Sequence, residues 1–501
     1  MPPTAAPTRP QAWQQAPPPP TWPQERPQER LRERPPERRP EWQRPQERRQ
    51  APPEAAPQTR SPGHARPPGH ARPRRLGREI LAAMRARNWV VSLALPLMAA
   101  IAVGIAAVVI VGANNHIGSA PAAIDAGFPP AQVATKDFGG GAAGSPVQLS
   151  SIAAAGSILV AVGSAGGGLA LWVSVDGGST WQRSAVTPAG GVRLGSGQLA
   201  WVAHGAAGWL AVGDAASAAS GAAGTTPVVL GSADGRTWTA AGGTGTFAGA
   251  GRIVTAAVAA GGAGYVIVGH ASVGARTVAA AWYAPGRVGW RRAADARPGA
   301  LDGPGNRVMS AVTATSRGFA AVGAVGARPA AWLSGTGRTW TLVKLPRPAG
   351  AASAALDYVA ANGAAVAAVG TEVTTAGQRL PFDAVSTDAG ATWTLALLPA
   401  ADGGAAASAT ALTAAGGGFT ATGTYGGPGE THVVIWTLPA GAAAGTAWTA
   451  VAPQGIGLAT PGTQAITALT STGDTLTGVG FTMAATGTAT KPTIWQSPVR
   501  S

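Results

Sequence analysis

Residues 174–181 read SVDGGSTW. Nearly the same word returns as SADGRTW at 232–238, SGTGRTW at 334–340 and STDAGATW at 386–393. A second word recurs beside it, a short apolar run that ends in glycine. It closes at Gly163, Gly213, Gly269, Gly323, Gly370, Gly423 and Gly480, most often as AVG. The intervals are 50, 56, 54, 47, 53 and 57 residues. A self-similar period near 50 residues points to a propeller or a solenoid.

Each unit parses into four strands. In the first, VQLSSIAA, SILVAVGS and GLALWVSV are strands separated by glycine turns, and SVDGGSTW turns the chain into TWQRSAV. Alternation, β-branched residues and bounding glycines support strands. Glycine and threonine content, with no 3.6-residue period, excludes a helical solenoid. Seven units of four strands predict an all-β fold, a seven-bladed β-propeller over 146–501.

The word SxDxGxTW resembles the Asp-box, or bacterial neuraminidase repeat, of sialidase-type propellers. The chain is also similar, at repeat level, to photosystem assembly-factor propellers. The resemblance implies a hairpin between third and fourth strands, built by Ser174, Asp176, Gly178, Thr180 and Trp181 and by Asp388, Gly390 and Trp393. Asp234 and Trp238 mark the shorter copy, Trp340 the copy with Thr336 in place of Asp, and Trp290 and Trp448 the units that keep only the tryptophan. The aspartates are expected to accept backbone N–H bonds within the turn. The glycines are expected at positive φ, and the tryptophans between blades. Each copy offers one carboxylate, whereas calcium takes about six to eight oxygens, so the word reads as structural.

The seventh unit supplies only three strands before the chain stops at Ser501. AQVATKDF, 131–138, in the linker 113–145, is the expected donor of the missing strand, which would close the ring and remove sheet edges.

The N-terminal part has another composition. Residues 1–88 hold 21 of the 42 prolines and 18 arginines against 8 glutamates, a net +10 of the chain's +15. Near-repeats such as PQERPQER and PGHARP, with few apolar residues, read as a disordered tail. Such a tail can touch anionic lipid or a proline-reading partner; its sparse aromatics give no stacking platform for a specific nucleic acid. Residues 89–112, WVVSLALPLMAAIAVGIAAVVIVG, carry no charge over 24 residues. That is enough to cross a hydrocarbon core of about 30 Å as a helix. Arginines precede it and none follows closely, so the positive-inside rule places the tail in the cytoplasm of a single-pass membrane protein and 114–501 outside. Alanine and glycine abundance suggests a bacterial source of high GC content.

The propeller is expected to work through its long loops, because functional residues concentrate on loops held by a rigid scaffold. The connections between second and third strands and between units are long and share one face. They carry the binding candidates Arg252, Arg276, Arg297, Asp302, Glu372, Arg379 and Glu430, with Asp214, His270, Arg292, Asp295, Arg307 and Asp383 beside them. A basic loop set favours an acidic glycopolymer or an acidic protein surface.

The sialidase resemblance implies an arginine triad, a Tyr–Glu nucleophile pair and an Asp acid/base. The (F/Y)RIP motif of that family is absent. Only Tyr265, Tyr283, Tyr358 and Tyr425 and only Glu372 and Glu430 occur in the outer region. No pair of carboxyls is placed for glycoside hydrolysis, so no catalytic residue is assigned. The histidines His116, His204, His270 and His432 are scattered. No metal motif or phosphate loop is present, and the absence of cysteine removes thiolate sites. No cofactor is expected. The reading is a non-catalytic protein- or glycan-binding module. The alternatives are a sialidase-like glycoside hydrolase and a transmembrane sensor or scaffold that couples an outer ligand to a tail partner.

Overall fold

The computed structural model describes residues 130–131 and, with short gaps, 147–499. The tail, the apolar stretch 89–112 and most of the linker 113–145 lie outside the described residues. Among the described residues every regular element is a β-strand, and no helix is long and apolar enough to cross a membrane.

The strands form consecutive antiparallel meanders. The first runs Val147–Ala155, Ile158–Ala165, Gly168–Ser174 and Gln182–Arg183, each hydrogen-bonded to the next. The following meanders open at Gly197, Ile253, Arg307, Ala351, Ala407 and Gly462. They are called second to seventh below. The sixth and seventh are joined at one bridge, Thr431 to Thr463, so six hydrogen-bonded sheets hold all seven meanders. The seventh has three strands of its own. Pro130–Ala131 pairs antiparallel with its last strand, Lys491–Pro498, setting Pro130 opposite Trp495 and Ala131 opposite Ile494. This contact overlaps the expected stretch 131–138 only at Ala131.

Two linkers add strands that the four-strand parse did not contain. Ala185–Thr187 pairs parallel with Thr237–Ala240, and Ala294–Asp295 pairs parallel with the strand Thr339–Lys344. Each linker thus borders the outer edge of the meander it leads into.

Every meander buries both faces, one against the preceding meander and one against the next. Val160, Val162 and Leu171 of the first meet Leu199, Trp209 and Leu230 of the second. The same arrangement continues around the chain until Leu149, Trp172 and Trp181 of the first meet Val479 and Ile494 of the seventh. The closing seam is also polar: Thr467 Oγ1 donates to Leu149 O at 2.7 Å, and Gln496 Nε2 to Gly177 O at 2.6 Å. Sheets packed face to face in a closed cycle make a β-propeller.

The glycine-ended word has a steric cause. In the first meander Leu149 pairs with Gly163 and Ser151 with Val162, so Ser150 is an extra residue. The same bulge stands opposite Gly213, Gly269, Gly323, Gly370, Gly423 and Gly480. A Cβ on any of these seven glycines would land on a carbonyl oxygen of the bulged strand, from Gln148 O at Gly163 to Ala465 O at Gly480. The bulge bends the first strand of each meander, and only glycine admits its carbonyl that closely.

The hairpins at 174–181 and 386–393 are closed by side-chain hydrogen bonds. Asp176 accepts from Ser174 Oγ at 2.7 Å, Thr180 N at 2.9 Å and Thr180 Oγ1 at 2.6 Å. Asp388 repeats this with Ser386 and Thr392. At Asp388 desolvation is the largest single influence and raises the pKa, but the hydrogen bonds together outweigh it, so both carboxyls are held at about 2. Gly178 and Gly390 have φ of 98° and 92°. The indole N–H then closes the turn on the backbone, as in Trp181 to Gly178 O at 3.0 Å and Trp340 to Gly337 O at 3.1 Å. Trp181, Trp238 and Trp340 are buried, but Trp393 is only half-buried. Trp448 departs from the pattern and donates to Asp383 Oδ2 of the fifth meander at 2.7 Å.

A second tryptophan series was not read from the sequence. Trp172, Trp282, Trp332, Trp436 and Trp495 lie on third strands and are fully buried. Trp332 and Trp436 donate to the linker carbonyls of Ala300 and Pro399.

Two stability outcomes follow from this packing. Gly323→Ala, which drives a Cβ onto Val308 O, should lower unfolding free energy by about 1–3 kcal/mol. Gly335→Ala, whose Cβ meets nothing nearer than Arg317 O at 3.9 Å, should be near neutral in the same urea titration. Trp340→Ala should cost roughly 3–5 kcal/mol, and Trp393→Ala clearly less.

Candidate functional site

Antiparallel order fixes which connections share an edge of the ring. Turns between first and second strands and the Asp-box hairpins lie at one edge. Turns between second and third strands and the linkers between meanders lie at the other. The second edge carries most of the charged candidates.

Its largest described linker, 296–306, is a built loop. Asp295 accepts Leu301 N at 2.7 Å and Gly299 N at 3.0 Å. Arg307 is 4% exposed, and its guanidinium donates to the carbonyls of Gly299, Ala300 and Pro304. Burial lowers its pKa, opposed by Asp295 and Asp302. Arg276 binds Asp302 at 3.0 Å and the Gly303 carbonyl at 3.3 Å, and Asn306 accepts Thr277 N. Arg307 and Asp295 are therefore scaffold, while Arg276 and Asp302 form an exposed ion pair at the rim.

The remaining candidates separate by burial. Arg252, Arg297 and Arg379 are exposed. Glu430 is exposed, with His432 Nε2 at 3.6 Å from its carboxylate. Glu372 belongs not to a loop but to the strand Ala365–Thr374, is 2% exposed, and its carboxyl is pushed up by burial. Asp383 is likewise in a strand and is raised to about 6 by burial, which outweighs the bonds it accepts from Trp448 and Ala396 N.

Asp214 and His270 occupy equivalent places, each one residue past the glycine of the second word. Burial raises Asp214 to about 7, opposed by the charge of Arg252. Burial lowers His270 to about 4, with Arg252 adding to the effect. Among the described residues Asp214 Oδ1 and His270 Nδ1 have no hydrogen-bond partner. Asp357, the extra residue of the fifth bulge, is raised to about 6 by burial despite a 3.3 Å bond from Thr371 and the nearby Arg379.

Two exposed arginines at this edge were missed, Arg328 and Arg347. The signal for the first was in the sequence: VGAR at 273–276 recurs as VGAR at 325–328.

The tyrosines do not gather. Tyr265 OH donates to Gly208 O at 2.7 Å between sheets, and Tyr358 is raised by burial and by Asp357. Tyr283 lies under Arg338. Tyr425 packs on His432 with ring centroids 5.5 Å apart. A groove of about 370 Å³ lies at the opposite, hairpin edge between the fourth and fifth meanders, bordered by Arg317, Phe319, Leu333, Asp388 and Ala389.

The raised Asp214 gives a signed pH dependence. Its folded value of about 7 exceeds the ordinary 3.8. The stability it contributes is therefore full below pH 4 and lost as pH rises to about 7. Asp214→Asn should be more stable than the parent at pH 8, by roughly 4 kcal/mol, with the difference vanishing at pH 4. Parallel stability curves would reject this assignment.

No family model matches the chain, and no curated protein matches it. Among solved structures it is similar to YCF48 bound to a D1 peptide, at 15% identity and a TM-score of 0.44, over 76% of this chain and 100% of that one. It is similar to a Hadza microbial sialidase at 12% identity and 0.38, over 71% and 65%. It is also similar to the Aleuria aurantia lectin in complex with a methyl fucoside, at 13% and 0.37, over 63% and 97%.

Proposed function

We propose that the chain is a single-pass membrane protein whose seven-bladed propeller, held outside the membrane, is a non-catalytic binding module for a protein or glycan. The observation that carries this reading is how the charged groups of the long-connection edge are used. Arg307 and Asp295 are spent on holding a loop. Glu372 and Asp383 are buried within strands. The other arginines stand exposed around the rim rather than converging on one cavity. A sialidase-like site needs a carboxylate clamp beside a tyrosine and two carboxyls. Here Tyr265 and Tyr358 are committed to packing. The nearest enzyme-like group, Tyr425 with His432 and Glu430, sits on one hairpin of the sixth meander. The membrane part of the reading is supported by the uncharged 24-residue stretch and its basic flank.

The chain has no cysteine, so single-cysteine variants report topology directly. A membrane-impermeant maleimide should label Ala275→Cys in intact cells and Ala65→Cys only after permeabilisation. The reverse pattern overturns the topology. Turnover of a fluorogenic sialoside should equal the buffer blank; turnover removed by Tyr425→Phe would replace the binding reading with a hydrolase.

A further inference from the structure

Three consecutive third strands begin with the same residue type. Arg276, Arg328 and Arg379 are the first residues of their strands in the third, fourth and fifth meanders. The linkers leading into those meanders carry Arg252, Arg297 and Arg347. All six are exposed. Along the chain they alternate, linker then strand start, so the topology sets them as one arc at the long-connection edge.

Acidic groups do not neutralise this arc. Asp302 is exposed and takes Arg276. Asp295 spends both oxygens on backbone N–H groups. Glu372 is buried, and Asp357 is pushed toward the neutral form by burial. Within these three meanders, among the described residues, six exposed arginines stand against one exposed carboxylate, with Asp214 acting on Arg252 and Glu430 exposed on the adjoining sixth meander; the balance is basic in a chain with only 12% charged residues. The arginines are distributed rather than pooled, which suits a ligand whose charges repeat along its length. Pro130–Ala131 runs antiparallel to Lys491–Pro498, so the Pro130 end of that short strand lies toward the hairpin edge.

We infer that this arc binds an extended anionic glycopolymer, a polymer of carboxylated or phosphorylated sugars. This rests on the binding-module reading and names its site and ligand class. A folded protein partner fits less well. Interface cores are anchored by aromatic and apolar side chains, and among the described residues the large exposed apolar side chains toward this edge are Val273 and Leu397 alone, with no aromatic among them. Guanidinium groups meet carboxylates and phosphates in a bidentate fork, and exposed contacts of this kind act additively and weaken with salt.

The test uses the full chain in nanodiscs of uncharged lipid, with polygalacturonate as probe. Poly-L-glutamate of matched charge and neutral dextran serve as comparisons. The parent should bind polygalacturonate, with affinity falling steeply as salt rises, and should not bind dextran. The combined variant Arg328→Ser, Arg347→Ser and Arg379→Ser should bind about tenfold more weakly, with an unchanged melting temperature. The same positions as lysine should recover part of the loss. The combination Arg236→Ser, Arg317→Ser and Arg338→Ser at the hairpin edge should bind as the parent does. Equal binding by parent and arc variant, or an equal loss from the hairpin-edge variant, overturns the arc and leaves the binding-module reading standing. Poly-L-glutamate binding more tightly than polygalacturonate overturns the glycan assignment in favour of an acidic peptide. Glycoside turnover would instead overturn the binding-module reading.

Discussion

The structure depends on one close approach, made once in every meander. The first strand carries a bulge, and the carbonyl two residues before the bulged residue points into the space where the second strand would hold a Cβ. Glycine is the residue type that fits there. The bulge increases local bend and twist, which a strand needs when its neighbours fan out around an axis. The extra residue is drawn from a small set: Ser150, Ala200, Ala256, Ser310, Asp357, Thr410 and Thr467. Six are small, and the one charged member, Asp357, is driven toward its neutral form.

The Asp-box does a different job. Its network is local: Ser, Asp and Thr of one turn satisfy each other and the turn's own N–H groups. The network holds the tryptophan in place, and the tryptophan then fills the space between neighbouring meanders. This division explains how the word can decay. The copy in the fourth unit, 334–340, lacks its aspartate, yet Gly337 N still bonds Ser334 Oγ and Trp340 still closes on Gly337 O. The third unit keeps only Trp290, bonded to Arg287 O at 3.2 Å. What persists is the indole with its carbonyl. In the sixth unit even that partner is exchanged for a buried carboxylate on the preceding meander.

Charge follows the same logic of position. At the hairpin edge Asp176 and Asp388 are tied into turns, so their ionised forms are stabilised locally. At the other edge burial raises the pKa of carboxyls that enter the packed layers, while arginines remain at strand starts and in linkers. The consequence is a ring with a structural edge and a basic edge.

The repeat, its period, the strand content and the Asp-box turns were legible in the sequence, because each is a local requirement that the same residues must meet in every unit. The φ of Gly178 and the bonds of Asp176 need only eight residues to be understood. The arginine series was half legible, through the VGAR repeat. The fates of Glu372, Asp383 and Asp214 were not, because burial depends on which meander packs against which face. The extra strands Ala185–Thr187 and Ala294–Asp295 are decided by partners about 50 and 45 residues away. The sequence determined the unit; tertiary packing decided which charges stay charged, since solvation depends on neighbours that are remote along the chain.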